Sequence, residues 1–125
     1  MTTAQKIAFR EFGDARDFEL HHGCCLGGDV DGHHIGREFG WRIVGHPSIE
    51  PYLRASIVCD ELRPAKTYLV RNRDIVDEVQ IMLAVPQEAE EQPRGGTWST
   101  FRYALQSRKP TALVLPDGKV IWYHV

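Results

Sequence analysis

Residues 81–115 read IMLAVPQEAEEQPRGGTWSTFRYALQSRKPTALVL, and this stretch decides the fold class. Its two ends, residues 81–85 and 111–115, are short apolar runs typical of strands that are buried on both faces of a parallel sheet. Residues 98–107 between them have a helical pattern that ends before Lys109-Pro110. A strand, a helix and a second buried strand in this order predict a βαβ unit.

The rest of the chain alternates in the same way. Helices are predicted over residues 4–13, 30–39 and 68–78, strands over 18–22 and 41–44, and an edge strand or hairpin arm over 119–125. Residues 48–66 have no assignable pattern. The alternation favours one α/β domain over residues 1–125, a Rossmann-like three-layer fold with a parallel sheet and helices on both faces.

The composition is that of an ordinary globular protein, with 42% hydrophobic and 26% charged residues and a formal net charge of −2. Its basic residues are scattered, so we expect no nucleic-acid partner. No apolar run approaches the roughly 20 residues of a membrane span, and we expect no membrane partner. The N-terminal residues lack the pattern of a secretory signal, and three cysteines suit a reducing compartment. We therefore expect a cytoplasmic protein.

Three loops leave the carboxyl ends of predicted strands, at residues 23–29, 45–47 and 86–97, and ligands of open parallel sheets bind at this edge. The strongest local signal is Gly95-Gly-Thr-Trp-Ser-Thr100, where a loop becomes a helix. The backbone N–H groups of Gly95 and Gly96 and the hydroxyls of Thr97, Ser99 and Thr100 can converge there on an anion. Alternatively, Gly-Gly is only a turn and Thr97 or Ser99 only a helix cap.

Further binding candidates surround this turn. Arg71, Asn72 and Arg73 could clamp a phosphate or ribose, or could form an ordinary solvated face. The other candidates at the predicted rim are Gly27, Gly28, Asp29 and His46. The glycines allow close approach of the backbone to a ligand, and Asp29 either binds ribose hydroxyls or caps the helix.

Histidine and cysteine are concentrated in His21-His22-Gly23-Cys24-Cys25, with His33-His34 following. These are zinc-ligand residue types, but adjacent residues of a strand point to opposite faces, so each histidine pair offers one ligand at most. The spacing matches no common zinc motif. We expect neither a metal nor a cofactor.

Three segments together resemble the SLOG group of DprA/LOG-like Rossmann proteins, which bind nucleotides or nucleotide-derived ligands, and in particular its small uncharacterised members. They are His21-His-Gly-Cys-Cys-Leu-Gly-Gly-Asp29, Tyr68-Leu-Val-Arg-Asn-Arg-Asp-Ile-Val76 and Gly95-Gly-Thr-Trp-Ser-Thr-Phe-Arg-Tyr-Ala104. Members of this group usually begin with a strand, whereas this sequence starts at what resembles their first helix. The resemblance implies a nucleotide-like or ADP-ribose-like ligand that is sensed, carried or sequestered, and a homodimer or larger oligomer.

The LOG enzymes of this group carry a PGGxGTxxE motif whose glutamate acts on an N-glycosidic bond. Gly96-Thr97 aligns with its GT, which places Thr100 where the glutamate would stand. The anion-binding part of the motif is thus present without its carboxylate. The alternative function is an N-glycosidic hydrolase, a phosphoribohydrolase or nucleoside deoxyribosyltransferase-like enzyme. Its candidate catalytic carboxylate is Asp29 or, if the acidic loop folds over the site, one of Glu88, Glu90 and Glu91.

Overall fold

The computed structural model describes residues 1–50 and 54–125, and in them helices and strands alternate along the chain. The elements in chain order are α1 (Thr3–Gly13), β1 (Glu19–His22), α2 (Gly28–Glu38), β2 (Arg42–Gly45), β3 (Glu61–Leu62), α3 (Tyr68–Glu78), β4 (Met82–Ala84), α4 (Gly96–Gln106), β5 (Thr111–Val114) and β6 (Val120–Tyr123). Residues 51–53, part of the stretch 48–66 without a predicted pattern, lie outside the described residues. None of the described helices is long and apolar enough to cross a membrane.

The strands form two small sheets. In the first, β1, β2 and β3 lie side by side and are all parallel, with Leu20 opposite Ile43. In the second, β4 is parallel to β5, and β6 returns antiparallel to β5 through the turn at Asp117-Gly118. The predicted α/β class is confirmed. The last predicted element, an edge strand or hairpin arm over residues 119–125, forms β6, the second arm of a hairpin with β5.

The outer strands β1 and β4 both border one groove. Residues of both strands, including Leu20 and Leu83, line it, and neither strand has a second hydrogen-bonded neighbour among the described residues. Met82 and Leu83 are only half-buried, whereas β5 has a neighbour on each side and is buried throughout. The prediction that residues 81–85 are buried on both faces is therefore wrong for the start of β4, because its free edge faces the groove.

Two apolar clusters hold the sheets and helices together. Phe9, Ile35 and Trp41 pack α1 and α2 against the first sheet, and Leu83 of β4 also contacts this cluster. The second cluster joins α4 to β4 and β5 through Ala84, Trp98, Phe101 and Leu113. Because Leu83 contacts the cluster of the first sheet, side-chain packing connects the two sheets although no strand pairing does.

Gln5 places the start of α1 at the carboxyl ends of β4 and β5. Its backbone N–H bonds the Thr2 hydroxyl and its side-chain oxygen accepts the Thr2 N–H, a capping box that fixes the first turn. The side-chain amide, which is buried, donates to the carbonyls of Pro86 at 2.8 Å and Val114 at 2.9 Å. One side chain thus caps a helix and satisfies two carbonyls at the ends of neighbouring strands.

We expect Gln5→Leu to lower the free energy of unfolding by about 1–3 kcal/mol, because it leaves buried carbonyl groups without a donor. Urea denaturation followed by circular dichroism measures the change. The matched control is Gln106→Leu at an exposed position of α4, which should change stability by no more than about 0.5 kcal/mol. Equal effects of the two substitutions would show that the Gln5 contacts do not secure the strand ends.

Candidate functional site

A cavity extends from the groove between β1 and β4 to the carboxyl ends of these strands. It has a volume of about 810 Å³, within the range of small-molecule sites. The loop after β1 and the first residues of α2, α3 and α4 line its outer end, namely Gly28, Tyr68 and Gly96. The edge at which the sequence predicts a ligand therefore contains a cavity of suitable size.

The starts of these three helices have no side-chain caps. Gly27 precedes α2 with φ 94° and Gly95 precedes α4 with φ 109°, a region of backbone conformation that favours glycine. Thr67 precedes α3 and its hydroxyl makes no capping bond. By contrast, Thr2 and Gln5 cap α1 reciprocally. Among the described residues, the first N–H groups of α2, α3 and α4 thus have no side-chain cap, and the first residue of each helix lines one cavity. The dipole of a helix favours negative charge near its start.

Tyr68 lies against the turn at the start of α4. A Cβ atom added at Gly96 would meet the Tyr68 hydroxyl first and then the ring carbon that carries it, at 2.7 Å. The guanidinium of Arg71 lies 5.0 Å from the centre of the Tyr68 ring, within the range of a cation–π contact. Gly96 is required at this position because Tyr68 approaches the helix start so closely.

Arg71 fixes the shape of the rim from inside. Its side chain is buried and Nη1 donates to the carbonyls of Gly23 at 2.5 Å and His46 at 3.0 Å, while Nε donates to Asn72 Oδ1 at 2.7 Å. One guanidinium of α3 therefore joins the loops that follow β1 and β2. Its role as a phosphate clamp stays a prediction, and in this structure its Nη1 bonds backbone carbonyls.

Asp29 holds the same loop from the other side. Its Oδ2 accepts the N–H groups of Gly23 and Cys25, each at 3.1 Å. Burial raises the pKa of the Asp29 carboxyl, against the lowering effect of these two hydrogen bonds and of Arg71. Because its Oδ2 accepts two N–H groups of the loop after β1, Asp29 stabilises this loop and makes no capping bond to α2.

His22 belongs to a buried cluster on the opposite face of β1 from His21. The Cys24 N–H donates to His22 Nδ1 at 3.0 Å, so Nε2 carries the proton and donates to His33 Nδ1, also at 3.0 Å. Burial lowers the pKa of His22 to about 4 and raises that of Cys24 to about 12. Both side chains are therefore neutral at pH 7. Although His22, Cys24 and Cys59 have ligand atoms within 4.8 Å of one another, this tautomer leaves no lone pair on His22 for a metal.

The structure brings most of the predicted binding residues together. Those that line the large cavity are Gly27, Gly28, Asp29, Arg71, Asn72, Gly95, Gly96, Thr97 and Thr100. Arg73 and Ser99 instead line a neighbouring cavity of about 200 Å³. His46 is buried and meets the rim only through its carbonyl, and Glu91 lies on the surface in an ion pair with Arg102.

Among the lining residues that were not predicted as binding residues, three lie near the start of α4. Tyr68 and Arg94 stand beside the start of α4, and Glu88 accepts a hydrogen bond from Trp98 Nε1 at 3.0 Å. Arg94 directly precedes Gly95 and could have been predicted from that position alone, since a cation beside an anion site is favourable. Tyr68 gives no such signal, because its approach to Gly96 depends on the packing of α3 against α4.

We expect Arg71→Met to destabilise the fold by about 2–4 kcal/mol, because the carbonyls of Gly23 and His46 lose a charged donor in a buried position. Thermal and urea denaturation measure this loss. Arg73→Met is the matched control, two residues away on an exposed part of the same helix, and should change stability by no more than about 0.5 kcal/mol. A stability of Arg71→Met equal to that of the control would contradict the role given to Arg71.

No protein-family model, curated protein or solved structure matches this chain. The function is therefore argued from the geometry of the site.

Proposed function

We propose that this protein binds a nucleotide or a nucleotide-derived, ADP-ribose-like ligand, and acts as a sensor, carrier or sequestering protein for it. The observation that carries the proposal is the meeting of three uncapped helix starts, at Gly28, Tyr68 and Gly96, at one cavity of about 810 Å³. Backbone N–H groups at helix starts bind phosphate through hydrogen bonds and through the dipole. A ligand with several phosphate oxygens would use more than one of these starts at once.

The cavity offers partners for each part of such a ligand. The turn of Gly95, Gly96 and Thr97 receives a phosphate, with the Arg94 side chain at its edge. The aromatic ring of Tyr68 and the apolar walls of β1 and β4 supply surface for a base. Apolar walls with a few convergent polar groups are typical of sites for small organic ligands.

The geometry favours binding over hydrolysis of an N-glycosidic bond. The Asp29 oxygen is occupied by two backbone N–H groups, and Glu91 is paired with Arg102 away from the cavity. Thr100 stands where the LOG-type motif has its glutamate, and its hydroxyl donates to the Gly96 carbonyl at 2.7 Å. Hydrolysis at an anomeric carbon needs a carboxylate that can act on the sugar, and neither Asp29 nor Glu91 occupies such a position. Glu88 does line the cavity, where its Oε1 accepts the hydrogen bond of Trp98 Nε1.

The proposal includes a Rossmann-like arrangement of the two sheets. The starts of α1 and α2 are joined by the ion pair of the Met1 amine with Asp31, and Gln5 links the start of α1 to the ends of β4 and β5. The carboxyl ends of both sheets therefore lie at the same side. We propose that β1 and β4 face each other across the groove as the inner strands of one doubly wound arrangement, with the ligand at their carboxyl ends. Homodimer formation remains a prediction.

The proposal is tested by adding nucleoside monophosphates, NAD or ADP-ribose to the protein. Binding is detected as an increase in its melting temperature. A true ligand at about 100 times its Kd should stabilise the fold by about 2.7 kcal/mol. Gly96→Val should abolish this stabilisation, because its side chain would occupy the turn. Arg94→Gln should weaken binding about fivefold or more, since it removes a charge beside the phosphate.

The control is Arg108→Gln, which removes an exposed charge beyond the C-terminal end of α4 and should leave binding unchanged. Chromatography of the same samples should recover the ligand intact. Release of free base by the wild-type protein that disappears in Asp29→Asn would establish the hydrolase instead. Equal binding by wild type and Gly96→Val would place the ligand elsewhere.

A further inference from the structure

A second group of polar side chains lies at the His21 side of β1, on the wall of the same cavity but away from the turn at Gly95 and Gly96. It joins His21 of β1, His46 directly after β2, and Glu78 at the end of α3. One ligand atom from each lies within 4.8 Å of the other two. The His21 Nδ1 and His46 Nε2 atoms are 2.8 Å apart, and Glu78 Oε2 lies 3.6 Å and 3.9 Å from them.

We propose that His21, His46 and Glu78 form a binding site for a divalent transition-metal ion, with zinc as its first candidate. Two imidazoles and one carboxylate are a common set of protein ligands for zinc and leave at least one coordination position open. Zinc–ligand distances of about 2.0–2.2 Å place neighbouring ligand atoms roughly 3–3.5 Å apart. The observed separations require shifts of a few tenths of an ångström to reach this geometry.

The hydrogen bonds of the two histidines define their protonation. Glu19 Oε1 accepts a hydrogen bond from His21 Nε2 at 2.8 Å, which places the His21 proton there and leaves a lone pair on Nδ1. His46 Nε2 donates to this lone pair at 2.8 Å, so binding of the ion replaces this hydrogen bond and requires the His46 proton to move to Nδ1. A carboxylate that holds the outer nitrogen of a metal-binding histidine is the usual arrangement in zinc proteins.

The position of Glu78 distinguishes this group from an ordinary hydrogen-bonded cluster. Its Oε2 points toward both histidines but is too far from either for a direct hydrogen bond. Arg63 holds this carboxylate, with Nη2 at 2.9 Å from Oε2. A further side chain thus holds each of Glu78 and His21, Arg63 for the former and Glu19 for the latter.

The open position of this site faces the groove. His21, Glu78 and Arg63 line the large cavity, whereas His46 lies behind them. The side chains of His21 and His46 are 6% and 3% exposed and that of Glu78 is 36% exposed, so the ion would have a protein side and a solvent side. This is the arrangement of a metal that can accept an additional ligand from the cavity.

Titration of the chelator-treated protein with Zn²⁺ in a calorimeter, and with Co²⁺ followed by visible absorption, tests the proposal. We expect one ion per chain and a visible Co²⁺ spectrum typical of a coordination site of low symmetry. Glu78→Gln keeps the size of a half-exposed side chain and should weaken binding at least tenfold, as should His46→Gln. Glu19→Gln should weaken it by about tenfold, the effect typical for a residue that orients a ligand.

Control substitutions outside the three ligands test whether the ion binds at this site. His34→Gln changes an exposed residue next to His33, and Asp77→Asn changes an exposed residue next to Glu78. Both variants should bind the ion as the wild type does. Cys59→Ser should also bind the ion, because Cys59 belongs to the cluster of His22 and Cys24. Three results would each overturn the proposal. The folded wild-type protein does not bind the ion, Glu78→Gln binds it as tightly as the wild type, or Cys59→Ser loses binding while Glu78→Gln does not. Nucleotide binding by the metal-free protein is a separate measurement, so either site can fail without the other.

Discussion

The shape of the candidate site depends on one buried cation, the guanidinium of Arg71. It bonds the carbonyls of Gly23 and His46, and it thereby connects α3 to the loops after β1 and β2. Asp29 bonds the N–H of the same Gly23, so one peptide segment is held between opposite charges. A Cβ at Gly23 would lie 2.6 Å from Arg71 Nη1, which leaves glycine as the residue that fits. The rim of the cavity is rigid because charge and close packing act on the same few atoms.

The sequence predicts the elements well where the signal is local. Residues 68–78 are predicted as a helix and form α3 with those bounds, since the apolar spacing and the flanking residues agree. Helix α2 begins at Gly28, earlier than predicted, because Gly27 with φ 94° starts the helix before its apolar pattern does. Strand β3 was not predicted, because Glu61 and Leu62 are held by pairing with Val44 and Gly45 of a distant segment. Strand order and the division into two sheets depend on such pairing.

The same distinction applies to the candidate site. The glycine turn at residues 95–96 and the loop at 27–28 follow from local rules about helix starts, and the structure places them at one cavity. The structural role of Arg71 could not be predicted, because an arginine in a polar segment is usually exposed. The group of His21, His46 and Glu78 comes from three separate elements and has no sequence spacing that would reveal it. Strand alternation did predict that His21 and His22 point to opposite faces, and they do so in two different clusters.

In the proposed site, backbone N–H groups bind the ligand more than side chains do. Three helices begin at the cavity without caps, while the most polar side chains nearby, Arg71 and Asp29, are occupied in holding the loops. In the proposed function, such a site recognises phosphate through N–H groups whose positions are fixed before the ligand arrives, which reduces the entropy lost on binding. Of the candidate carboxylates, Asp29 is bonded to the loop and Glu91 is paired with Arg102.

The most direct test is an amide NMR titration of the ¹⁵N-labelled protein with a nucleoside monophosphate or ADP-ribose. The account predicts saturable shifts at the N–H groups of Gly28, Tyr68 and Gly96 together, with little change at the capped start of α1. Saturable shifts confined to other parts of the chain, or none at any of the three helix starts with every nucleotide tried, would contradict it.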